Sequence, residues 1–364
     1  MPERFGERSV MMDDQLVVAL QMIAPGTPLR EAIENIVRAR TGALLVFADE
    51  EEVSPIISGG IDIDVALKPM VLYELAKMDG AILLDREGNH IIHANVQLMP
   101  DASIESQETG TRHRTAERVA KQLGAIAISI SAARDVVSVY VDNIRYIMDP
   151  LRVVLSKADQ ALQTLERFKY RLNQVMATLT VMEFQERVTL FDVAAVLQRT
   201  EMVLALSHLI ERYTIELGTE GRLVELQLEE LLRNVREDRE AVLGDYLPDP
   251  TRERIEAARQ ALIALPSDEL ISLESVGMIL GYPSSENVLE TPVRPRGLRV
   301  MQKIPRVNQG AVLSVLESFG DLKAILEAPV EELAALRGVG PERARCILEG
   351  LTRLRDLDFL DREE

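Results

Sequence analysis

Over residues 1–148 the apolar positions follow two alternating rhythms, and each change of rhythm marks a hand-over between helix and strand. From Leu29 to Arg40 they recur at three- and four-residue steps, the spacing of one helix face, whereas Ala43–Phe47 is an unbroken apolar run of strand length. The same contrast predicts a helix over Met70–Met78, strands at Ala81–Leu84 and His90–Ala94, a helix over Ala116–Gln122, and strands at Ala125–Ser131 and Val136–Val141. Such alternation predicts a mixed α/β domain whose helices cover a central sheet, with the pairing order left open.

After Asp149-Pro150 only the helical rhythm remains. Leu151, Leu155, Ala158, Leu162, Leu165, Leu172, Met176 and Leu179 form one apolar stripe. A second helix is predicted from the capping-box-like Thr189-Leu190-Phe191-Asp192 to Leu217, stopped by Gly218 and Gly221, and a third from Arg222 toward Leu243. The Met and Leu stripe reads as the packing surface of a helical bundle rather than a cofactor groove. Prolines from Pro248 to Pro295 then punctuate a linker of short helices. The expected fold class is therefore multidomain α/β plus all-α, with segments 1–148, 149–293 and 294–364: a mixed α/β domain with a central sheet, a helical spine with linker, and a small helical C-terminal domain.

Composition narrows this picture. A chain of 364 residues with 47% apolar side chains can build two or three cores, which excludes disordered and fibrous classes. No leader-like basic-plus-apolar pattern and no apolar run of about 20 residues is evident, and Cys346 is the one cysteine. We therefore expect a soluble cytoplasmic protein without membrane partners. The net charge of −18 argues against nucleic acid as a partner until its distribution is seen, since residues 294–364 hold 12 basic and 12 acidic side chains that cancel. Any DNA contact belongs there.

Two short segments carry candidate chemistry. Gly110-Thr111-Arg112-His113-Arg114-Thr115 packs cationic and hydroxyl groups into a glycine-started turn leading to a helix expected near Thr115; the arginines suit phosphate oxygens and the helix start adds its N–H groups. A solvated helix start is the plainer reading of that turn. Asp79-Gly80-Ala81 places a carboxylate beside a glycine at a helix-to-strand junction, for which an ordinary Asp-Gly turn is the plainer reading. A Gly-x-x-x-x-Gly-Lys-Ser/Thr loop is absent, which weakens an ordinary ATPase or kinase.

Taken together, Asp79-Gly80-Ala81 and Arg112-His113-Arg114 resemble the diadenylate cyclase family. So do Pro25–Arg30, Arg38–Leu44, Ser58-Gly59-Gly60 and Ala94–Leu98, and the C-terminal part is similar to the DNA-integrity-scanning branch. The resemblance implies condensation of two ATP into cyclic di-AMP with two pyrophosphates released, at two identical half-sites face to face. It implies Asp79 as catalytic residue and metal ligand for Mg²⁺ or Mn²⁺, with Gly80, Ala81, Leu98, Thr111, Arg112, His113, Arg114, Thr115 and Ser131 around the ATP. After Ser131 the family pattern has further basic residues, whereas Ala132-Ala133 precede Arg134 here. His113, between two arginines, suits a phosphate or metal-linked contact better than a general base; His90, His93 and His208 fit no ligand spacing. A homo-octamer of two tetramers is also implied.

In the last segment Leu336-Arg337-Gly338-Val339-Gly340-Pro341-Glu342-Arg343-Ala344 resembles a helix-hairpin-helix DNA-binding motif, with Arg337, Gly338, Val339, Gly340, Arg343 and Arg345 as DNA contacts, and Lys303–Asn308 looks like a degenerate first copy. An ordinary helix–helix turn is the plainer alternative. Backbone contacts of this kind predict preference for DNA structure, branched or damaged, over sequence. The competing reading is a DNA-structure-binding scaffold that holds nucleotide without cyclising it. Asp79 separates the two, because a binding module needs no carboxylate beside a triphosphate.

Overall fold

The protein is described by a computed structural model that covers residues 14–131, 135–266, 272–282 and 287–360. The described residues form two compact units, one of residues 14–160 and 210–226, the other of residues 161–209 and those from 227 onward.

The first unit is built on a mixed sheet. Helices α1 (Asp14–Met22), α2 (Pro28–Arg38), α3 (Glu50–Val53), α4 (Pro69–Leu75) and α5 (Thr111–Leu123) alternate with strands β1 (Ala43–Phe47), β2 (Ile57–Ser58), β3 (Ile61–Ala66), β4 (Ala81–Leu84), β5 (His90–Leu98), β6 (Ile126–Ile130), β7 (Val137–Val141) and β8 (Ile144–Ile147). The order across the sheet is β2-β5-β4-β1-β6-β7-β8, with β3 also on β5. Only β1 and β4 run parallel; the remaining pairs are antiparallel. Central β1 is buried at every position, which is why its sequence shows no alternation.

Alternate side chains feed two cores. Leu45, Phe47, Ile82, Leu84, Ile128 and Val139 join Leu29, Ile33 and Ile36 of α2 on one face. Leu44, Val46, Leu83, Ala127 and Tyr140 join Ala116, Val119 and Ala120 of α5 on the other. Helix α2 starts where expected because the Thr27 hydroxyl accepts the N–H of Arg30 at 3.1 Å and Pro28 opens the first turn. Helix α5 departs from expectation. It begins at Thr111, not near Thr115, with Gly110 as its cap residue, so Arg112, His113 and Arg114 lie inside its first turns.

In the helical segments, α6 (Leu151–Phe184) and α7 (Leu190–Leu217) match the predicted stripes, and Thr189 donates its N–H to Asp192 at 2.9 Å at the expected cap. The third predicted helix is instead two, α8 (Arg222–Leu232) and α9 (Val235–Tyr246), because Asn234 takes a left-handed φ of 62° that ends the first. The stretch Leu190–Tyr246 contains a window apolar enough to cross a membrane, with mean hydropathy 1.3, but 61% of that window is buried in the protein as in a core helix. Helices α10 (Arg252–Ala264) and α11 (Leu273–Ile279) follow.

The second unit ends in five helices: α12 (Leu298–Gln302), α13 (Gln309–Phe319), α14 (Leu322–Glu327), α15 (Val330–Ala335) and α16 (Gly340–Leu360). They share one core of Val300, Met301, Ile304, Val315, Ile325, Leu333, Val339, Ile347 and Leu351. Gly350 lets α16 approach closely, since a Cβ there would stand 2.6 Å from the Ile304 side chain. Within this unit a buried ionic group joins three helices. Arg299 of α12 pairs with Glu183 of α6 and donates to the Thr180 hydroxyl at 2.9 Å, while the Tyr246 hydroxyl donates to Glu183 at 2.7 Å. Asp245 accepts the backbone N–H groups of Leu298 and Arg299 at 2.7 and 2.9 Å, capping α12. Burial first, then the Glu183 charge, pushes the Asp245 carboxyl up to about 7, against the pull of those two bonds.

Candidate functional site

Strand directions gather the candidate residues at one end of the sheet. Because β1 and β4 are parallel, Gly42 and Asp79-Gly80, which precede them, lie at the same end; antiparallel β6 and β5 bring Ser131 and Leu98 there, since Ala43 faces Ile130 and Ala81 faces Val96. The start of α5 completes the set. Arg112 lies across Gly42, whose missing Cβ would stand 2.1 Å from Nη1, and its Nη2 is 3.7 Å from Oδ1 of Asp79. The Asp79 side chain is otherwise fully exposed.

Gly80 is needed for a different reason than an Asp-Gly turn would give. Its φ is not left-handed; instead a Cβ would stand 2.3 Å from the carbonyl carbon of Asn95. Asn95 is the bulged residue of β5, at a φ of 54°, and its Oδ1 accepts the Gly80 N–H at 3.1 Å. The sequence contained both residues, but nothing in their spacing joined them.

The first turn of α5 has no side-chain cap, and its first helical bond is made by the N–H of Arg114 to Gly110 at 2.8 Å. Its N-terminal amides and dipole therefore favour an anion. Gly110 itself has ordinary extended backbone and only the His113 ring edge near it, 3.5 Å from a would-be Cβ. Thr111 and Thr115 lie on the same two turns, with Thr111 exposed and Thr115 half-buried.

Arg112 and Arg114 diverge on α5. Residues two apart on a helix leave it about 200° apart, so Arg112 faces Asp79 while Arg114 turns away and donates its Nε–H to the Glu108 carbonyl at 3.3 Å. Arg118 and Lys121 continue that row, donating to the carbonyls of Ile104, Ala102 and Glu105 at 2.9, 3.0 and 3.0 Å. The basic face of α5 thus clasps the preceding loop. His113 points elsewhere, its Nδ1 2.9 Å from the hydroxyl of buried Tyr140, which donates to Glu108 at 2.9 Å. Burial and the Glu108 contact push the Tyr140 hydroxyl well above its ordinary pKa. Ser131 directly follows β6, its N–H donating to the Val136 carbonyl at 2.9 Å; the change to Ala132-Ala133 falls outside the described residues. His93 lies between Asp62 and Glu50, apart from this set, and among the described residues no group of three or more His, Cys, Asp and Glu could hold a metal.

In the C-terminal helices the turn before α16 has Gly338 and Gly340 at φ of 81° and 68°, with Val339 between them buried in the core. Arg337 and Arg345 are exposed, whereas Arg343 donates to the Gly338 carbonyl at 2.7 Å and so braces the turn. The segment Lys303–Asn308 is a second such turn between α12 and α13. Arg306, at a φ of 68°, takes the left-handed place that glycine fills in the other, and Asn308 caps α13 by accepting the Ala311 N–H at 2.9 Å.

Known families cover most of this chain. Residues 30–144 match the DisA bacterial checkpoint controller nucleotide-binding domain, residues 148–289 its linker region, and residues 298–353 a SAM-like helix-hairpin-helix tandem. The DNA integrity scanning protein DisA of Carboxydothermus hydrogenoformans is 46% identical over 95% of this chain and 98% of its own length. The chain belongs to the DisA family. A second DisA, from Clostridium tetani, is 45% identical over 96% of both chains. The solved DacA of Staphylococcus aureus aligns with 38% of this chain and 89% of its own at 22% identity, but its TM-score of 0.29 is too low to decide anything. Within the DisA family assignment, Asp79, Gly80, Arg112 and the first turn of α5 lie in the nucleotide-binding match, and both glycine- or Arg306-centred turns lie in the helix-hairpin-helix tandem.

Proposed function

We propose that this protein is a diadenylate cyclase: it condenses two ATP into cyclic di-AMP, releasing two pyrophosphates, and couples that output to DNA structure bound at its C-terminal hairpins. The observation that carries the reading is the approach of Arg112 to Asp79 beside the uncapped start of α5, inside the nucleotide-binding match. Division of labour would follow residues 1–148 for cyclisation, 149–293 as spine and linker, and 294–364 for DNA.

In this reading the phosphates lie at the amides and hydroxyls of Thr111 and Thr115, with Arg112, His113 and Ser131 around them and Arg114 holding the loop. Gly80, Ala81 and Leu98 border adenine and ribose. Asp79 accepts the proton of the attacking 3′-hydroxyl or orients it toward the other nucleotide's α-phosphate, so catalysis is positioning plus charge stabilisation. The exposed Asp79 carboxylate fits Mg²⁺ or Mn²⁺, which takes few protein ligands when phosphates supply the rest; Asp79 would hold it, and it would neutralise triphosphate charge. Each chain presents one ATP, so the two attacks need two subunits face to face in the cytoplasm, within a homo-oligomer for which an octamer is our proposal.

The test is incubation with ATP and Mg²⁺ or Mn²⁺, followed by mass identification of the product. Cyclic di-AMP is expected. Bound but unconverted ATP would support the scaffold reading instead.

A further inference from the structure

The loop before α5 is not idle connection. Arg114, Arg118 and Lys121 hold its carbonyls, and the Ser106 hydroxyl donates to Glu117 at 2.5 Å. So fastened, the loop delivers the Glu108 carboxylate, with a side chain only 11% exposed, to two donors: the Arg145 guanidinium at 2.7 Å and the Tyr140 hydroxyl at 2.9 Å. The ion pair with Arg145 identifies Glu108 as a carboxylate acceptor. A tyrosine hydroxyl has one proton. Having given it to Glu108, Tyr140 can only accept from His113 Nδ1 at 2.9 Å.

Resting on the cyclase reading, we infer that Glu108 and Tyr140 are positioning residues for that reaction, fixing His113 with a proton on Nδ1 and its ring turned at the start of α5. Tyr140 is 1% exposed and anchored in the core under α5, so the ring is held by rigid sheet rather than by loop. The ring stands edge-on to Tyr140, with centroids 6.3 Å apart and planes at 64°, and its Cδ2 edge lies by Gly110. This is the logic by which an outer partner sets the tautomer and aim of a functional histidine. Arg114 takes part indirectly, through its bond to the Glu108 carbonyl at 3.3 Å.

The experiment compares Tyr140→Phe, Glu108→Gln and His113→Gln with the wild type, each checked for an unchanged melting profile and for ATP affinity by titration. Product formation by Tyr140→Phe and by Glu108→Gln should fall about tenfold, the scale typical of such outer partners, with ATP affinity within about twofold. Combining Tyr140→Phe with His113→Gln should be no slower than His113→Gln alone, because the tyrosine acts only through the histidine. A full-speed Tyr140→Phe, or factors that multiply in the double variant, would overturn the inference while leaving the cyclase reading intact; a wild type that makes no cyclic dinucleotide would fail that reading itself. Turnover is not the sole readout. Histidine ¹⁵N spectra of the assembled protein, with its four histidines and His113→Gln for assignment, should show Nδ1 protonated in the wild type and altered in Tyr140→Phe. A wild-type ring carrying its proton on Nε2 alone sinks the inference.

Discussion

Oδ1 of Asn95 accepts the backbone N–H of Gly80 at 3.1 Å, and this one bond ties the bulge of β5 to the residue beside the Asp79 carboxylate. Neither residue has room to change: Asn95 sits at a left-handed φ, and its backbone fills the space a Gly80 side chain would need. Replacing Gly80 by Ala should therefore cost about 1–3 kcal/mol of stability, the range of core overpacking, and carry Asp79 out of place. Chemical denaturation together with product assay would show both losses. Gly110→Ala is the comparison, with only the loss of a cap glycine expected, about 0.5–1 kcal/mol, since its backbone is extended and open.

Asp79→Asn separates chemistry from binding. Because the phosphate-facing groups belong to α5, ATP affinity measured by titration should stay within about tenfold while cyclic di-AMP formation is lost. Retained product formation would remove Asp79 from its role.

Arg112→Ala and Arg114→Ala should diverge, since one side chain faces Asp79 and the other the Glu108 carbonyl. Loss of Arg112 should weaken ATP binding by about 1.5–3 kcal/mol, the worth of a charged hydrogen bond. Arg114→Ala should leave affinity much nearer wild type and lower the turnover rate. Equal loss of affinity in both would contradict the opposed geometry.

The buried group around Arg299 makes stability depend on pH. Asp245, raised to about 7, binds its proton more tightly folded than unfolded; its contribution is present below the unfolded carboxyl range and is lost as pH rises through about 7. Melting temperature should fall from pH 5.5 to 8, and the fall should be smaller in Asp245→Asn. That variant should also melt lower at pH 5.5, because one amide oxygen replaces the two that serve Leu298 and Arg299. An identical pH slope in both proteins would rule Asp245 out as its source.

The same group changes how the DNA interface should be tested. Truncation before Arg294 looks clean in sequence, yet it removes Arg299 and leaves Glu183 unpaired, a change that costs several kcal/mol in buried pairs. Point changes are better. Gly338→Ala, at a φ of 81°, should strain the turn by about 1–2 kcal/mol, and Arg337→Ala and Arg345→Ala should lower DNA affinity and flatten its salt dependence. Cyclisation without DNA should persist in all three, as gel shifts with branched and linear duplex beside product assays would show.

Local pattern made much of this legible. The runs Ala43–Phe47 and Ala81–Leu84 are strands as expected because both are buried on two faces, and α2 is capped by the Thr27-Pro28 pair that announces it. Strands β2 and β8 are short and half-exposed, and six-residue β3 is mostly exposed, so no apolar run marks any of the three. The start of α5 was misplaced because its first turn is polar and basic, and the periodic apolar face begins only at Ala116. Their motifs mark Asp79 and Arg112 as candidates; their approach depends on a parallel β1–β4 pairing that no local signal encodes. Glu108 with Tyr140, and Glu183 with Arg299, are 32 and 116 residues apart, and each looks like a surface charge or a core aromatic until the fold joins them.

Gly350 has a consequence for how a duplex could be gripped. With α16 pressed against Ile304, the turn at Arg306 and the turn at Gly338–Gly340 hang from a single core. If both turns contact DNA, as we propose, that shared core would set their spacing, and a bulkier residue at position 350 would be expected to shift both turns at once.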